Sequence, residues 1–469
     1  MPCLLYFNNT PPVAKAGNQS LSLSLSLNLL NLPPLWSFLR YQSTQPNCLI
    51  RNQFLGKILF KMPPSFSHIH KTKLGFPMNN FNCKTQNSEA PIAAVILDLD
   101  GTLLNTEQAT KGILGEFLAR YGKVLDREKE DKRLGMMHNE SAISIVKDYE
   151  LPITPDCYTQ EIMPMYQEKW VHAKALPGVN RLIQHLHNRG VPFALASNSK
   201  RKNIDAKISH QQGWREHFAV ILGSDQVNAG KPSPDLFLEA AKQMGVDPVH
   251  CLVIEDSLVG VKAAKAAGMK VVAVPSLQNA ADQYSNADSV LHSLLELQPE
   301  LWGLPAFDDW VGKALPIDEP FYLRGWYSKG LLCLSEDSEE SALPDQLFGL
   351  FFGWVKFDAH EVFKVVASIG WDYGCCTCKR KFLIHLLDIS NEHISEQEVQ
   401  ILLVGYIRGL SKEENKAIDT EIPEQDKSVA RVSLDLPEFT RHKSMLLFPE
   451  ASLADDYAAS DEKEYAFSD

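Results

Sequence analysis

Residues Ala94 to Leu104 constrain this chain more than any other stretch. An apolar run, Ala94-Val95-Ile96-Leu97, breaks into Asp98-Leu99-Asp100-Gly101-Thr102 and then Leu103-Leu104. The run is short, lacks helical spacing and stops on carboxylates. That pattern predicts a buried parallel strand with reactive groups at its C-terminal end, where open α/β sheets place their ligands. Side chains along a strand alternate, so Asp98 and Asp100 point to the same side. Two acids so placed repel each other unless they share a cation or divide two roles. Taken alone, the stretch also describes an ordinary strand followed by a solvated Asp-Gly turn.

Three more strand-end signals follow. Val191-Pro192-Phe193-Ala194-Leu195-Ala196-Ser197-Asn198 ends in a hydroxyl and an amide, and Gly230-Lys231-Pro232-Ser233-Pro234-Asp235 sets a lysine in a Pro-rich loop before a helical pattern. Cys251-Leu252-Val253-Ile254-Glu255-Asp256-Ser257 is a second apolar strand ending in paired acids. Each has a local reading. Ser197 can cap a strand end, Lys231 can be a solvated charge, and Glu255 to Ser257 can cap the helix Leu258 to Ala267. Four such loops in this order, however, resemble the haloacid dehalogenase (HAD) superfamily of phosphatases, over residues 91–297.

The resemblance implies an α/β fold, a HAD Rossmann-like parallel sheet, with specific roles for these residues. Asp98 would attack phosphorus and form an aspartyl-phosphate. Asp100 would protonate the leaving oxygen and later deprotonate the attacking water. Mg²⁺ would be held by Asp98, Asp256 and the backbone carbonyl of Asp100, with Glu255 in the outer shell. Gly101, Thr102, Ser197, Asn198 and Lys231 would bind the phosphoryl group, with Ser197 and Lys231 also counted as catalytic. The implied substrate is a small phosphomonoester.

Between the first two signals, a helical insertion at about 108–175 shows helical spacing in Ile113-Leu114-Phe117-Leu118 and Ile143-Ile145-Val146. In the resembled family, an all-helical cap closes over the substrate at this position. Gly135 to Glu140, with His138, falls between two expected cap helices, and Asn105 stands where close relatives usually carry Asp.

Beyond residue 297 the pattern changes. Residues 298–314 read as a linker, and residues 315–445 as a small antiparallel barrel with strand-like runs at Gly349 to Trp354, Val362 to Trp371, Phe382 to His385 and Val399 to Ile407. These runs resemble the riboflavin kinase domain, and their place behind a HAD domain resembles the plant bifunctional riboflavin kinase/FMN phosphatase family. That resemblance implies FMN as the substrate. Glycerol or other small sugar phosphates, and a kinase making FMN from ATP and riboflavin, are the alternatives. The kinase family's Pro-Thr-Ala-Asn motif is absent. Gly325 to Gly330 runs instead into Leu331 to Leu334 and the acidic stretch Ser335 to Ser341, and Arg380 stands five residues before His385, where that family has its catalytic Glu. A barrel without kinase chemistry is expected.

Composition narrows the rest. A net charge of −12, from 58 acids and 46 bases, gives no broad basic face for nucleic acid. No stretch is apolar enough for a membrane span. Nine scattered cysteines suit reduced thiols, and Cys375-Cys376-Thr377-Cys378 lacks a second ligand pair for zinc. The first 88 residues hold eight Lys or Arg, no acid, and a Ser-Leu alternation from Ser20 to Leu27. Residues 1–90 therefore read as a transit peptide to the chloroplast or another organelle, or as a disordered extension of a cytoplasmic protein. Residues 446–469 read as an acidic disordered tail.

Overall fold

A computed structural model describes residues 91–447 except 132, 134–137, 276–282, 335–342, 358–361, 374–377, 390–393, 412–413 and 416–420. The expected targeting segment, most of the acidic tail, most of the loop before His138, and Cys375 to Thr377 lie outside the described residues.

The first 200 described residues build a six-stranded parallel sheet. Its strands are β1 (Ala94–Leu97), β2 (Phe193–Ser197), β3 (Val220–Gly223), β4 (Cys251–Glu255), β5 (Lys270–Ala273) and β6 (Ser289–Val290), in the order β3-β2-β1-β4-β5-β6. β1 shows no alternation because both its faces are covered. Val95 and Leu97 pack with Leu182 and Leu186 of the helix Val179–Asn188. Ala94 and Ile96 pack on the other face with Phe237, Ala240 and Val261 from the helices Asp235–Met244 and Leu258–Ala266.

The chain leaves this sheet after β1 and builds the expected cap. Helices Ile113–Ala119, His138–Asp148 and Pro155–Trp170 carry a separate core in which Phe117 meets Tyr158 edge-on, with ring centroids 5.1 Å apart. Exit and return run side by side. Leu104 bridges Ala175, the Asn105 amide donates to Lys174 O at 3.0 Å, and the Leu176 amide donates to Leu103 O at 3.0 Å. The linker is tied down: Arg181 makes a forked pair with Asp309 at 2.6 and 2.8 Å, and its guanidinium lies 3.5 Å from the Phe307 ring centroid.

The second half is a closed antiparallel barrel of β7 (Leu315–Ser328), β8 (Leu331–Leu334), β9 (Gly349–Phe357), β10 (Val362–Tyr373), β11 (Cys378–Leu386) and β12 (Gln397–Arg408), ordered β10-β11-β8-β7-β12-β9. The sequence foretells the last four strands but not β7 and β8. β9 alternates poorly because it is buried on both sides. Phe351 and Val355 face the barrel interior, while Phe352 and Trp354 lie beneath the helices Glu424–Ser433 and Pro437–Thr440. Phe352 and Phe439 meet at 5.1 Å, and Phe439 is fully buried. Phe439→Ala should lower stability by about 3–5 kcal/mol, the usual cost of emptying a buried aromatic site. Urea unfolding would check this, and a loss under 1 kcal/mol would show that the helices do not seal the barrel.

Candidate active site

The strand ends of β2, β1 and β4 are neighbours in the sheet, so Ser197, Asp98 with Asp100, and Glu255 with Asp256 converge at one edge. Lys231 enters from the loop after β3. Its ammonium is buried and donates to Asp98 Oδ1 at 2.5 Å and to Glu255 Oε1 at 2.7 Å. Burial alone would favour loss of its proton. Asp98 and Glu255 outweigh that and hold the ammonium well above ordinary lysine. Burial, with repulsion from Glu255 and Asp100, pushes the Asp98 carboxyl up to about 7 despite Lys231.

Asp98, Glu255 and Asp256 bring carboxylate oxygens within 4.8 Å of one another, and all three are buried. Glu255 is pinned at both ends, because its Oε2 accepts from the Ser257 amide at 2.7 Å and hydroxyl at 2.9 Å. Asp256 accepts from the Thr102 hydroxyl at 3.1 Å, and its carbonyl accepts from Tyr284 Oη at 2.5 Å. Three carboxyl groups against one ammonium leave this buried space short of positive charge. Hard oxygen donors so arranged suit a divalent cation.

Asp100 stands in a second cluster that sequence reasoning missed. Its Oδ1 accepts from Thr106 Oγ1 at 2.8 Å and Lys207 Nζ at 2.7 Å, and its Oδ2 from Ser199 Oγ at 2.9 Å. Burial would raise this carboxyl, but Lys207 and the hydroxyls win and hold it below the usual range. Lys207 also donates to Ser199 Oγ at 2.9 Å, and its ammonium lies 4.7 Å from the Trp170 ring centroid in the cap. Ser197 is buried, with its hydroxyl at the outer limit of contact with Asp100, 3.5 Å.

Three residues expected on the phosphoryl group also hold the site's framework together. The Asn198 side chain grips the backbone of Lys231 from both sides, accepting from its amide at 2.8 Å and donating to its carbonyl at 3.2 Å. An amide that is both donor and acceptor suits that clamp. The Thr102 hydroxyl is spent on Asp256. Gly101 donates its amide to Leu104 O at 3.0 Å, and its φ of +83° and missing side chain make room for Asp256, whose Oδ2 would lie 2.3 Å from a Cβ there. Asp98, Lys231, Glu255 and Asp256 come together as the sequence predicts. His138 begins the helix His138–Asp148.

A cleft of about 530 Å³ adjoins this edge through Gly101, and is lined also by Asn105 and by Glu130, Arg133 and Tyr166 from the cap.

The haloacid dehalogenase-like hydrolase family model matches residues 92–268, and the riboflavin kinase family model matches residues 334–434. A bifunctional riboflavin kinase/FMN phosphatase from Arabidopsis thaliana is 43% identical over 363 residues, covering 75% of this chain and 95% of its own. A mitochondrial (DL)-glycerol-3-phosphatase from the same plant is 36% identical, over 48% of this chain and 78% of its own. A probable pseudouridine-5'-phosphatase from Drosophila melanogaster is 38% identical, over 46% of this chain and 95% of its own.

Removing the one cation from the buried trio should cost stability. Lys231→Met, unfolded in urea at pH 8 without divalent ions, should lose about 3–5 kcal/mol, as expected when a buried ion pair is broken from one side. The Asp98 carboxyl lies above its unfolded value of 3.8 when folded, so its ionised form is the costly one, and Met at 231 raises it further. The loss should therefore shrink as the pH falls from 8 toward 4. A loss that stays constant over that range would place the cost elsewhere.

Proposed function

The chain belongs to the bifunctional riboflavin kinase/FMN phosphatase family and is a HAD-type phosphatase, and we propose that its substrate is FMN, which it hydrolyses to riboflavin and phosphate. The observation that carries this reading is Lys231 bridging Asp98 and Glu255, with Gly101 of the same turn lining a cleft of about 530 Å³ that has room for a large leaving group.

An Asp98 carboxylate oxygen forms a bond to phosphorus as the bond from phosphorus to the riboflavin oxygen breaks, giving an aspartyl-phosphate. Asp100 delivers a proton to the departing oxygen. It then takes a proton from the water that attacks the same phosphorus and frees Asp98. The ionised state that Lys207, Thr106 and Ser199 impose on Asp100 is the one needed for the water step. The first step requires Asp100 to take up a proton, which this ion pair opposes, so Asp100 must loosen from Lys207 to act as an acid. Lys231 keeps Asp98 in place and puts a fixed positive charge beside the transferred group. The buried oxygen donors of Asp98 and Asp256, with Glu255 behind them, fit Mg²⁺. When bound, Mg²⁺ would neutralise charge on the phosphoryl oxygens.

Asp98→Asn should lower FMN turnover by roughly 10³-fold or more. EDTA should abolish wild-type turnover and Mg²⁺ restore it. Activity measured on a panel of FMN, glycerol phosphate and sugar phosphates checks the substrate. Near-normal hydrolysis by Asp98→Asn, or restoration by Zn²⁺ but not Mg²⁺, would sink the mechanism, and a preference for glycerol phosphate would sink FMN.

We also propose that the barrel has lost kinase chemistry. Arg380 cannot accept the substrate's proton, and its guanidinium is engaged with Pro344 O at 2.8 Å and Asp345 Oδ1 at 3.0 Å. The full chain carrying Asp98→Asn, which would spare any FMN formed, should make none from riboflavin, ATP and Mg²⁺. FMN formation at about 1–100 s⁻¹, as kinases achieve, would restore the bifunctional reading.

A further inference from the structure

Among the described residues, a short segment before β9 reaches the phosphatase site. Gln346 is buried, and its side-chain amide donates to the Gly101 carbonyl at 3.1 Å, across 245 residues of sequence. Gly101 sits between Asp100 and Thr102, whose hydroxyl holds Asp256, so this bond anchors the turn that carries both acids' supports. Leu343, Pro344, Asp345 and Gln346 also line the same cleft of about 530 Å³ that the cap walls from the other side. The leaving-group half of a substrate lying in that cleft therefore meets the barrel as well as the cap.

The segment is held at both ends. Arg380, on β11, donates to Pro344 O at 2.8 Å, Asp345 Oδ1 at 3.0 Å and Leu343 O at 3.5 Å. Its guanidinium lies 4.8 Å from the Trp371 ring centroid, and its side chain is only 7% exposed, so the clamp is rigid and largely dry. At the other end, fully buried Phe348 stacks on His292 of the phosphatase domain with ring centroids 4.0 Å apart. A backbone bond from the Leu347 amide to Pro344 O at 3.0 Å closes the turn between the two anchors.

We propose that residues 343–348 of the barrel are a working wall of the phosphatase cleft: Gln346 is a positioning residue for the catalytic turn, and the Arg380-clamped Leu343–Asp345 face selects the leaving group. The proposal rests on the phosphatase reading, and only its choice of test substrate rests on FMN. A bulky leaving group with apolar faces gains most from Leu343 and Pro344, whereas a three-carbon alcohol does not extend that far.

The test uses the full chain with FMN and glycerol phosphate, measuring kcat and KM for each. Gln346→Met keeps the bulk and removes the donor. It should lower kcat by about 3–10-fold on both substrates, the loss expected for one hydrogen bond that orients a reacting group, with KM changed less. Asp345→Ala and Arg380→Met should lower the ratio of kcat/KM for FMN to that for glycerol phosphate by about 10-fold, and Arg380→Lys should recover only part of it. Asp345 is 42% exposed on its side chain, so Asp345→Ala serves if Arg380→Met fails to fold. Unchanged kcat in Gln346→Met would overturn the positioning role. A ratio within twofold of wild type in Asp345→Ala and every folded Arg380 variant would overturn the wall. Should the wild type hydrolyse other phosphomonoesters but not FMN, the FMN reading alone fails, and the ratio is taken with the bulkiest ester it does hydrolyse.

Discussion

The buried ammonium of Lys231 between Asp98 and Glu255 is the contact on which the active edge of this molecule depends. Each carboxylate ends a different strand, β1 and β4, and neither could stay ionised in a dry setting without a counter-charge. Lys231 supplies it from the loop after β3, and Asn198, at the end of β2, fixes that loop by gripping the lysine backbone. Four adjacent strands are thereby joined by one residue. The surrounding sequence is shaped to match. Position 101 must be glycine because the Asp256 carboxylate fills the space a Cβ would need, and position 260 must be glycine because Glu255 Oε1 would lie 1.7 Å from one. The remaining shortage of positive charge makes the edge receptive to a divalent cation, and hence to a phosphoryl group beside it.

A second ionic contact ties this edge to the cap. Thr106 begins the short helix Thr106–Ala109 on the way out to the cap, and Trp170 ends the helix Pro155–Trp170 on the way back. Thr106 donates to Asp100, and Trp170 lies under the ammonium of Lys207, which is itself bonded to Asp100. Asp100 is therefore held below the usual carboxyl range by Lys207 and Ser199 from the core and by Thr106 at the start of the excursion to the cap. Movement of the chain that leaves β1 would disturb one of the hydrogen bonds that hold Asp100 in its ionised form.

What could be read from the sequence follows from how local each signal is. Asp98, Glu255 and Asp256 were legible because each interrupts or ends an apolar strand, and a carboxylate there demands a reason. Lys207 was not, because it lies on the helix Arg201–Ile208 among Lys200, Arg201 and Lys202, where positive charge reads as a solvated face. Only the fold brings it to Asp100, 107 residues away. β7 escaped notice because Pro316 and Pro320 and the exposed pair Asp318-Glu319 break its first half, where the register with β12 also shifts, and only Leu323 to Tyr327 alternate. The bonds of Thr102 to Asp256 and of Asn198 to the Lys231 backbone were not legible, since a motif fixes which residues gather and not which hydrogen bonds they choose.

Position 380 shows how the two halves of the chain are bound together. A catalytic glutamate there, as the kinase family requires, would set a carboxylate against the carbonyls of Leu343 and Pro344 and the Asp345 side chain, all of which now accept hydrogen bonds. Acceptors facing acceptors repel, and the segment could not keep its present path. The arginine reverses every one of those contacts, and through the segment it holds, Gln346 reaches Gly101. A proton-accepting base at this position and a wall on the phosphatase cleft are therefore exclusive uses of one side chain.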